Sequence, residues 1–152
     1  MLPKIFVKVS GGLFTSAEFL RMMSRLQYHR LVICVGGGSQ INAALEKIGI
    51  ERKSHGPLGR ELATPQLRQV AEGELLKNQA LLEDKLARLG ITAKVIVPVL
   101  DLGGVRTHVN GDQMVKTAYL GFDRLVVMTT PDRLQAKRSI FAELPKVEIV
   151  AI

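Results

Sequence analysis

Lys8 lies in an apolar run, Ile5-Phe6-Val7-Lys8-Val9, two residues before Ser10-Gly11-Gly12. A lysine inside such a run is costly to bury unless its amine reaches water or an anion. The alternative is that its stem simply snorkels to a sheet rim. A second apolar run, Leu31 to Val35, stops at Gly36-Gly37-Gly38, and Ser39-Gln40-Ile41-Asn42 then opens an amphipathic segment. That order reads as strand, tight turn and helix N-terminus. Three glycines leave main-chain N–H groups uncovered, and a helix start adds orphan donors and a partial positive charge. Together they suit a phosphate or a carboxylate, although a bare strand-to-helix turn also accounts for the triplet. A third group, Val109-Asn110-Gly111-Asp112-Gln113, stands at another helix start. Asp112 can cap that helix, or it can orient Lys8 or another cation across the rim. Asn110 offers its amide to a polar ligand. Neither GxxxxGK[ST] nor GxGxxG occurs, so the glycine turn is neither a Walker loop nor a dinucleotide fingerprint.

These groups need elements to hold them. Ile5–Val9 reads as a first strand, followed by a helix in which Thr15 and Glu18 have capping-box spacing and Phe19, Met22, Met23 and Leu26 recur with helical period. Leu31–Val35 is a second strand. Ser39 is a candidate N-cap for a helix with Ile41, Ala44, Leu45 and Ile48 on one face and Gly49 as its stop. Glu51 to Leu62 is polar and carries Gly and Pro, a loop. Thr64-Pro65 restarts a helix that runs to Leu89, with Gly73 as a kink or break and Gly90 as the stop. Lys94–Leu100 is a strand interrupted or placed at an edge by Pro98, Asp101 to Gly104 a turn, and Val105–Val109 a short extended piece. A helix from Gly111 to about Leu120, a buried strand Arg124–Met128, a helix Asp132–Leu144 and a last strand Val147–Ala151 complete the chain. Strands alternate with helices and are apolar on both faces. This predicts one domain over residues 1–152, an α/β fold with three layers, α/β/α, around a mainly parallel sheet. Ligands of such sheets bind at the carboxyl ends of the strands, which puts both glycine turns and the loop after Met128 on one rim.

With 152 residues, 47% hydrophobic, no Trp, two Tyr and five Phe, the core must be mainly aliphatic. No apolar run reaches the length of a membrane span, and Lys4 and Lys8 bracket the first one, unlike a signal peptide. The single cysteine, Cys34, has no internal partner, which fits a reducing cytoplasm, and is read as a small core residue. The net charge is +7, but the basic residues are dispersed and aromatics are scarce, which argues against nucleic acid and for a surface that attracts anionic small molecules. The helix carrying Met22 and Met23 is a candidate homo-oligomer contact; the alternative is that both methionines are core.

In this order the motifs resemble the amino acid kinase family. Val7-Lys8-Val9-Ser10-Gly11-Gly12 looks like its first-strand lysine–glycine motif. Val35-Gly36-Gly37-Gly38-Ser39-Gln40-Ile41-Asn42 resembles the triple-glycine turn of acetylglutamate kinases, with Val35 and Ser39 where His and Pro are usual. Gly59-Arg60 through Thr64 resembles the segment whose arginine holds the acceptor carboxylate. Asn110-Gly111-Asp112-Gln113, with Leu120 to Thr129 after it, resembles the Asn/Asp helix and the strand leading to the nucleotide site, in a form closest to the aminoadipate-kinase branch. The resemblance implies an amino acid kinase-like fold and transfer of the γ-phosphoryl group of ATP, with Mg2+ brought by the nucleotide, to a carboxylate of an acylated amino acid. It implies Lys8, Asp112 and Lys137 as catalytic groups and Gly11, Gly12, Gly36, Gly37 and Gly38 as the phosphate cradle. It implies Arg60 and Asn110 at the acceptor and Thr129 and Thr130 at the nucleotide. Two other readings are a nucleoside monophosphate acceptor, because Ser10 is similar to the uridylate-kinase branch, and a kinase-like domain that binds an anionic metabolite or partner without catalysis. The chain departs from the pattern in three places. Ile91–Val105 is too short for the family's usual hairpins and extra helix. Thr130-Pro131-Asp132-Arg133 stands where an aspartate and a glycine-containing loop are usual. His108 replaces a first asparagine and is expected as an exposed loop histidine.

Overall fold

The computed structural model describes residues 1–51 and 56–152; the middle of the expected 51–62 loop lies outside the described residues. Five strands form one sheet in the order β3-β2-β1-β6-β7, with β1 Lys4–Val9 at its centre, β2 Arg30–Val35, β3 Lys94–Ile96, β6 Arg124–Thr129 and β7 Val147–Ala151. Every pairing in it is parallel, and the register sets Val9 opposite Val35 and Lys8 opposite both Cys34 and Val127. Alternation then sorts the side chains. Ile5, Val7 and Val9 join Leu31, Ile33 and Val35 in one core with residues of α1 (Ala17–Leu26), α2 (Gly38–Lys47) and α3 (Pro65–Arg88). Phe6, Cys34, Leu125 and Val127 face the other way, onto Met114 and Val115 of α4 (Gly111–Ala118) and onto Phe141, just after α5 (Leu134–Ile140). The sheet is covered by helices on both faces, as the doubly apolar strands predict. Cys34 belongs to the second core, and burial pushes its thiol up to about 12.

Several local expectations are corrected. Ser16, not Thr15, caps α1: the chain leaves the glycine bend through turns from Ser10 to Leu13 and Leu13 to Ser16, and the Ser16 side chain then accepts from the Phe19 N–H at 3.2 Å. Ser39 lies inside the first turn of α2, whose N-cap is Gly37 with no side-chain cap. Of the expected apolar face of α2, only Ile41 and Leu45 are buried. Gly73 does not break α3. The helix runs unbroken because Ala71, Leu75, Asn78, Leu82 and Leu86 bury one face on both sides of it, which outweighs the ~1 kcal/mol glycine penalty. Its start is as predicted, with Thr64 accepting from the Leu67 N–H and Pro65 in the first turn.

Pro98 ends β3, and the chain turns out of the sheet into an antiparallel hairpin, β4 Val99–Leu102 and β5 Val105–His108. Asp101 and Leu102 are therefore strand; only Gly103 and Gly104, both at positive φ, make the turn. Residues 91–105, expected to be too short for the usual hairpins and extra helix, hold the first strand of this short hairpin. The last helix spans Leu134–Ile140 rather than residues 132–144. A 3-10 turn, Pro131–Arg133, precedes it, and Pro145 forbids helical continuation at Leu144. Met23 is fully buried and Met22 packs partly buried against the same core, so both methionines serve the interior. Among the described residues no helix is long and apolar enough to cross a membrane.

Candidate functional site: a cationic cavity at the carboxyl rim

A cavity of about 240 Å³ opens at the carboxyl ends of β1 and β2. Its floor is Gly36, Gly37, Gly38 and Gly11, its far wall Asn110, Gly111 and Asp112 at the start of α4, and its roof Arg60. Parallel pairing brings these groups together: Val9 and Val35 are register partners, so both glycine turns emerge at the same level. Gln40, in the first turn of α2, donates from its amide to the Gly11 carbonyl at 2.9 Å and straps one turn to the other. The turns touch so closely that a Cβ on Gly11 would stand 2.9 Å from the Gly37 Cα.

Lys8 reaches the cavity from beneath. Its side chain is 11% exposed, and its stem crosses Gly111 in contact: a Cβ there would lie 2.3 Å from Lys8 Cε. A glycine at this helix start is what gives the lysine its channel. Asp112 takes the orienting role and not the capping one. Asn110 caps α4 instead, its Oδ1 accepting from the Gln113 N–H at 2.7 Å. That frees the Asp112 carboxylate to meet two lysines. Lys137 Nζ donates to Oδ2 at 2.6 Å, and Lys8 Nζ lies 3.8 Å from Oδ1. The second distance is an ion pair too long for a hydrogen bond, and Oδ1 is buried without a hydrogen-bond partner. Lys137 is thus held, side chain 5% exposed, while the Lys8 amine keeps its own donors for something else.

Four cations, Lys8, Arg60, Arg133 and Lys137, line the cavity against one carboxylate, Asp112. Burial pushes Lys8 down from 10.5 to about 8; Asp112 opposes this, and the positive charges of Lys137 and Arg133 add to it. An anion entering the cavity reverses the balance. Sulfate, whose charge is constant near neutrality, is therefore expected to bind about tenfold more weakly at pH 9 than at pH 7. Titration calorimetry at the two values measures this, and an affinity independent of pH contradicts it. His108 does not interfere in that range, because burial holds its imidazole below its ordinary value, with Glu72 opposing.

Arg60 bonds the Asn42 side chain and reaches the Gly38 carbonyl at 3.4 Å, so the loop that carries it is tied to α2. That loop also leans on the α4 start. The Leu58 carbonyl accepts from the Asn110 N–H at 3.1 Å, and Gly59, at φ 147°, leaves no room for a Cβ beside the Asn110 nitrogen. Asn110 itself lines the cavity, its amide 3.4 Å from the Pro57 carbonyl. Gly12 stands in open space outside the lining. Thr129 and Thr130 are not brought to the cavity. Thr129 is buried in β6, where its carbonyl accepts from the Ile152 N–H at 2.9 Å, and Thr130 leads into the following 3-10 turn.

Three lining or supporting residues were not anticipated in these roles. His108 is no exposed loop histidine: it ends β5 with its side chain 8% exposed, 4.0 Å from Glu72, and lines the cavity. Arg133 arrives through the β6–α5 connection, for which the sequence carries no local signal. Asn78 is 4% exposed beneath the glycine triplet. A signal for it existed, a lone amide in the stripe Ala71-Leu75-Leu82-Leu86. Among the described residues no group of three or more His, Cys, Asp or Glu side chains could hold a metal ion.

Fold and site together define an α/β protein with a parallel sheet and, at its carboxyl rim, a cavity lined by four cationic side chains and one carboxylate. No family model and no curated protein matches the chain.

Gly111→Ala tests the channel directly. The added methyl is expected to push the buried Lys8 stem out of its channel and weaken sulfate binding by about tenfold or more, with a modest loss of thermal stability from the overpacking. Unchanged sulfate affinity in a folded variant contradicts it.

Proposed function

We propose that this chain is a small-molecule kinase of the amino acid kinase type, transferring the γ-phosphoryl group of ATP to a carboxylate of an acylated amino acid. One observation carries the reading: Asp112 holds Lys137 tightly and Lys8 loosely in the lining of a glycine-rich cavity. Phosphoryl transfer asks a protein mainly for positioning and charge stabilisation, and two lysines on one carboxylate, facing backbone N–H groups, supply both.

In this reading the acceptor carboxylate attacks phosphorus in line, the phosphorus–oxygen bond to ADP breaks, and an acyl phosphate leaves with no covalent enzyme intermediate. Lys8 follows the transferring group, because its amine is not fixed by a hydrogen bond to Asp112. Lys137 balances charge from the α5 side. The N–H groups of Gly37, Gly38 and Gly11 cradle phosphoryl oxygens, the Gly36 N–H being taken by the Val9 carbonyl, and Arg60 meets the acceptor carboxylate. Mg2+ enters with the nucleotide, whose phosphates supply ligands.

A second reading, anion binding without transfer, draws support from the segment after β6: Thr129 and Thr130 lie away from the cavity, and the chain passes at once into the Pro131–Arg133 turn. One experiment separates the two. Purified chain with Mg-ATP and a panel of N-acylated glutamate, aminoadipate and UMP is expected to release ADP and phosphorylate a carboxylate acceptor. Tight anion binding with no transfer to any acceptor favours the second reading, and transfer to UMP alone moves the acceptor class to nucleotides.

A further inference from the structure

Asn78 has no part in the chemistry above, yet it is the buried polar side chain nearest the glycine triplet. It sits on the inner face of α3 between Leu75 and Leu82. Its Nδ2 donates to the Gly36 carbonyl at 2.9 Å. A Cβ on Gly37 would stand 3.1 Å from both this nitrogen and the Leu75 side chain, so the turn is pressed directly onto α3. The Gly36 N–H is fixed too, donating to the Val9 carbonyl at 2.8 Å.

The described peptide bonds are all trans, and in a trans peptide the C=O and the following N–H point in opposite directions. Fixing the Gly36 carbonyl on α3 therefore turns the Gly37 N–H away from α3. A flip of that peptide would cost the Asn78 bond and turn the Gly37 N–H onto the Asn78 amide nitrogen, donor against donor. Glycines give the turn no side-chain preference of its own, so something outside it must choose between the two orientations.

We propose that Asn78 is a positioning residue: its bond to the Gly36 carbonyl aims the Gly37 N–H, and with it the first turn of α2, into the cavity as a preformed anion cradle. This rests on the reading of the cavity as a phosphoryl site. An apolar residue would satisfy the stripe on α3 equally well, and a donor is needed only to hold the peptide plane. Catalytic cradles work by being aimed before the charge arrives, so the effect falls on anion affinity and transfer more than on folding.

The test uses the full chain and inorganic pyrophosphate. Asn78→Leu continues the apolar stripe and removes the donor; Asn78→Asp keeps the shape and faces the carbonyl with an acceptor. Asn78→Leu is expected to melt within a few degrees of the parent but to bind pyrophosphate at least tenfold more weakly, with Asn78→Asp weaker still. In the parent, the 15N–1H signals of Gly37 and Gly38 should shift on titration; in Asn78→Leu the Gly37 signal should start elsewhere and shift less. If Asn78→Asp does not fold, Asn78→Leu carries the test alone. Equal pyrophosphate affinity and equal Gly37 shifts in parent and Asn78→Leu overturn the role of Asn78 and leave the site standing. Absence of pyrophosphate binding by the parent overturns both.

Discussion

Lys8→Met is expected to abolish phosphoryl transfer and, at neutral pH, to make the folded chain more stable. Methionine is unbranched and fills the channel over Gly111 without the ammonium. Loss of the one amine free to follow the transferring group should lower kcat by about 10²–10³ or more. The stability gain comes from the displaced proton equilibrium. Lys8 titrates at about 8 in the fold and at 10.5 when unfolded. Below about pH 8 both states are protonated and the fold carries the whole penalty of the buried charge. Between about 8 and 10.5 the unfolded state holds more protons, so stability rises with pH through that window. Above 10.5 the penalty has gone. The difference corresponds to about 3–4 kcal/mol. Urea unfolding should therefore show the variant more stable at pH 7, with the advantage shrinking towards pH 10. A variant less stable than its parent at pH 7, or one that still transfers phosphate, would contradict the placement of Lys8 as a functional charge held at a cost to the fold.

Asp112→Asn should act in the opposite direction on stability. It leaves Lys8, Lys137 and Arg133 around the cavity with no carboxylate among them. Removing one partner of a buried ion pair costs about 3–5 kcal/mol, because the remaining charge stays desolvated. Lys137 bears most of this, being the more buried lysine and the one hydrogen-bonded to the carboxylate. The melting temperature should fall by about 10 °C, given ~2–4 °C per kcal/mol for a chain of this size. Sulfate should restore part of the loss, since an anion in the cavity takes over the neutralising role. Glu148→Gln, which breaks the half-exposed pair with Arg124 on the sheet, is the control and should change stability by less than about 1 kcal/mol. Melting curves of the three proteins with and without sulfate measure this. An Asp112→Asn protein as stable as the control, or one that sulfate does not help, would mean the carboxylate does not balance the lysines.

Lys8 and Asp112 also mark how far the linear chain could be read. Lys8 stood out because an ammonium inside an apolar strand needs a reason, and the glycines after it named a site for that reason. Asp112 was ambiguous. A carboxylate two residues after an asparagine at a helix start can cap or can face elsewhere, and the choice depends on which side chain captures the Gln113 N–H. Asn110 captures it, and that sends Asp112 inward. The hairpin at Val99–His108 escaped notice for a similar reason. Val99 and Leu100 read locally as the tail of the preceding strand and Asp101-Leu102 as part of a turn, and only their pairing with Val105–His108 makes the four a strand of their own.

What the sequence determined by itself is the set of short-range decisions. These are the runs that become strands, Thr64 and Pro65 at a helix start, Gly49 and Gly90 at helix ends, and two-faced burial that demands helices on both sides of the sheet. Each is settled by chemistry within about one or two helical turns of chain. Tertiary structure alone decided which of these pieces meet. Residues 8, 36, 112 and 137 converge because parallel pairing aligns the carboxyl ends of β1, β2 and β6, and the helices that follow must return across the sheet to start again. Lys137 became a buried partner of Asp112, and His108 a lining residue, through contacts that span 25 positions in the first case and join β5 to α3 in the second. Local periodicity holds no record of such distances, since burial and charge pairing are properties of the neighbours a side chain acquires only when the sheet closes.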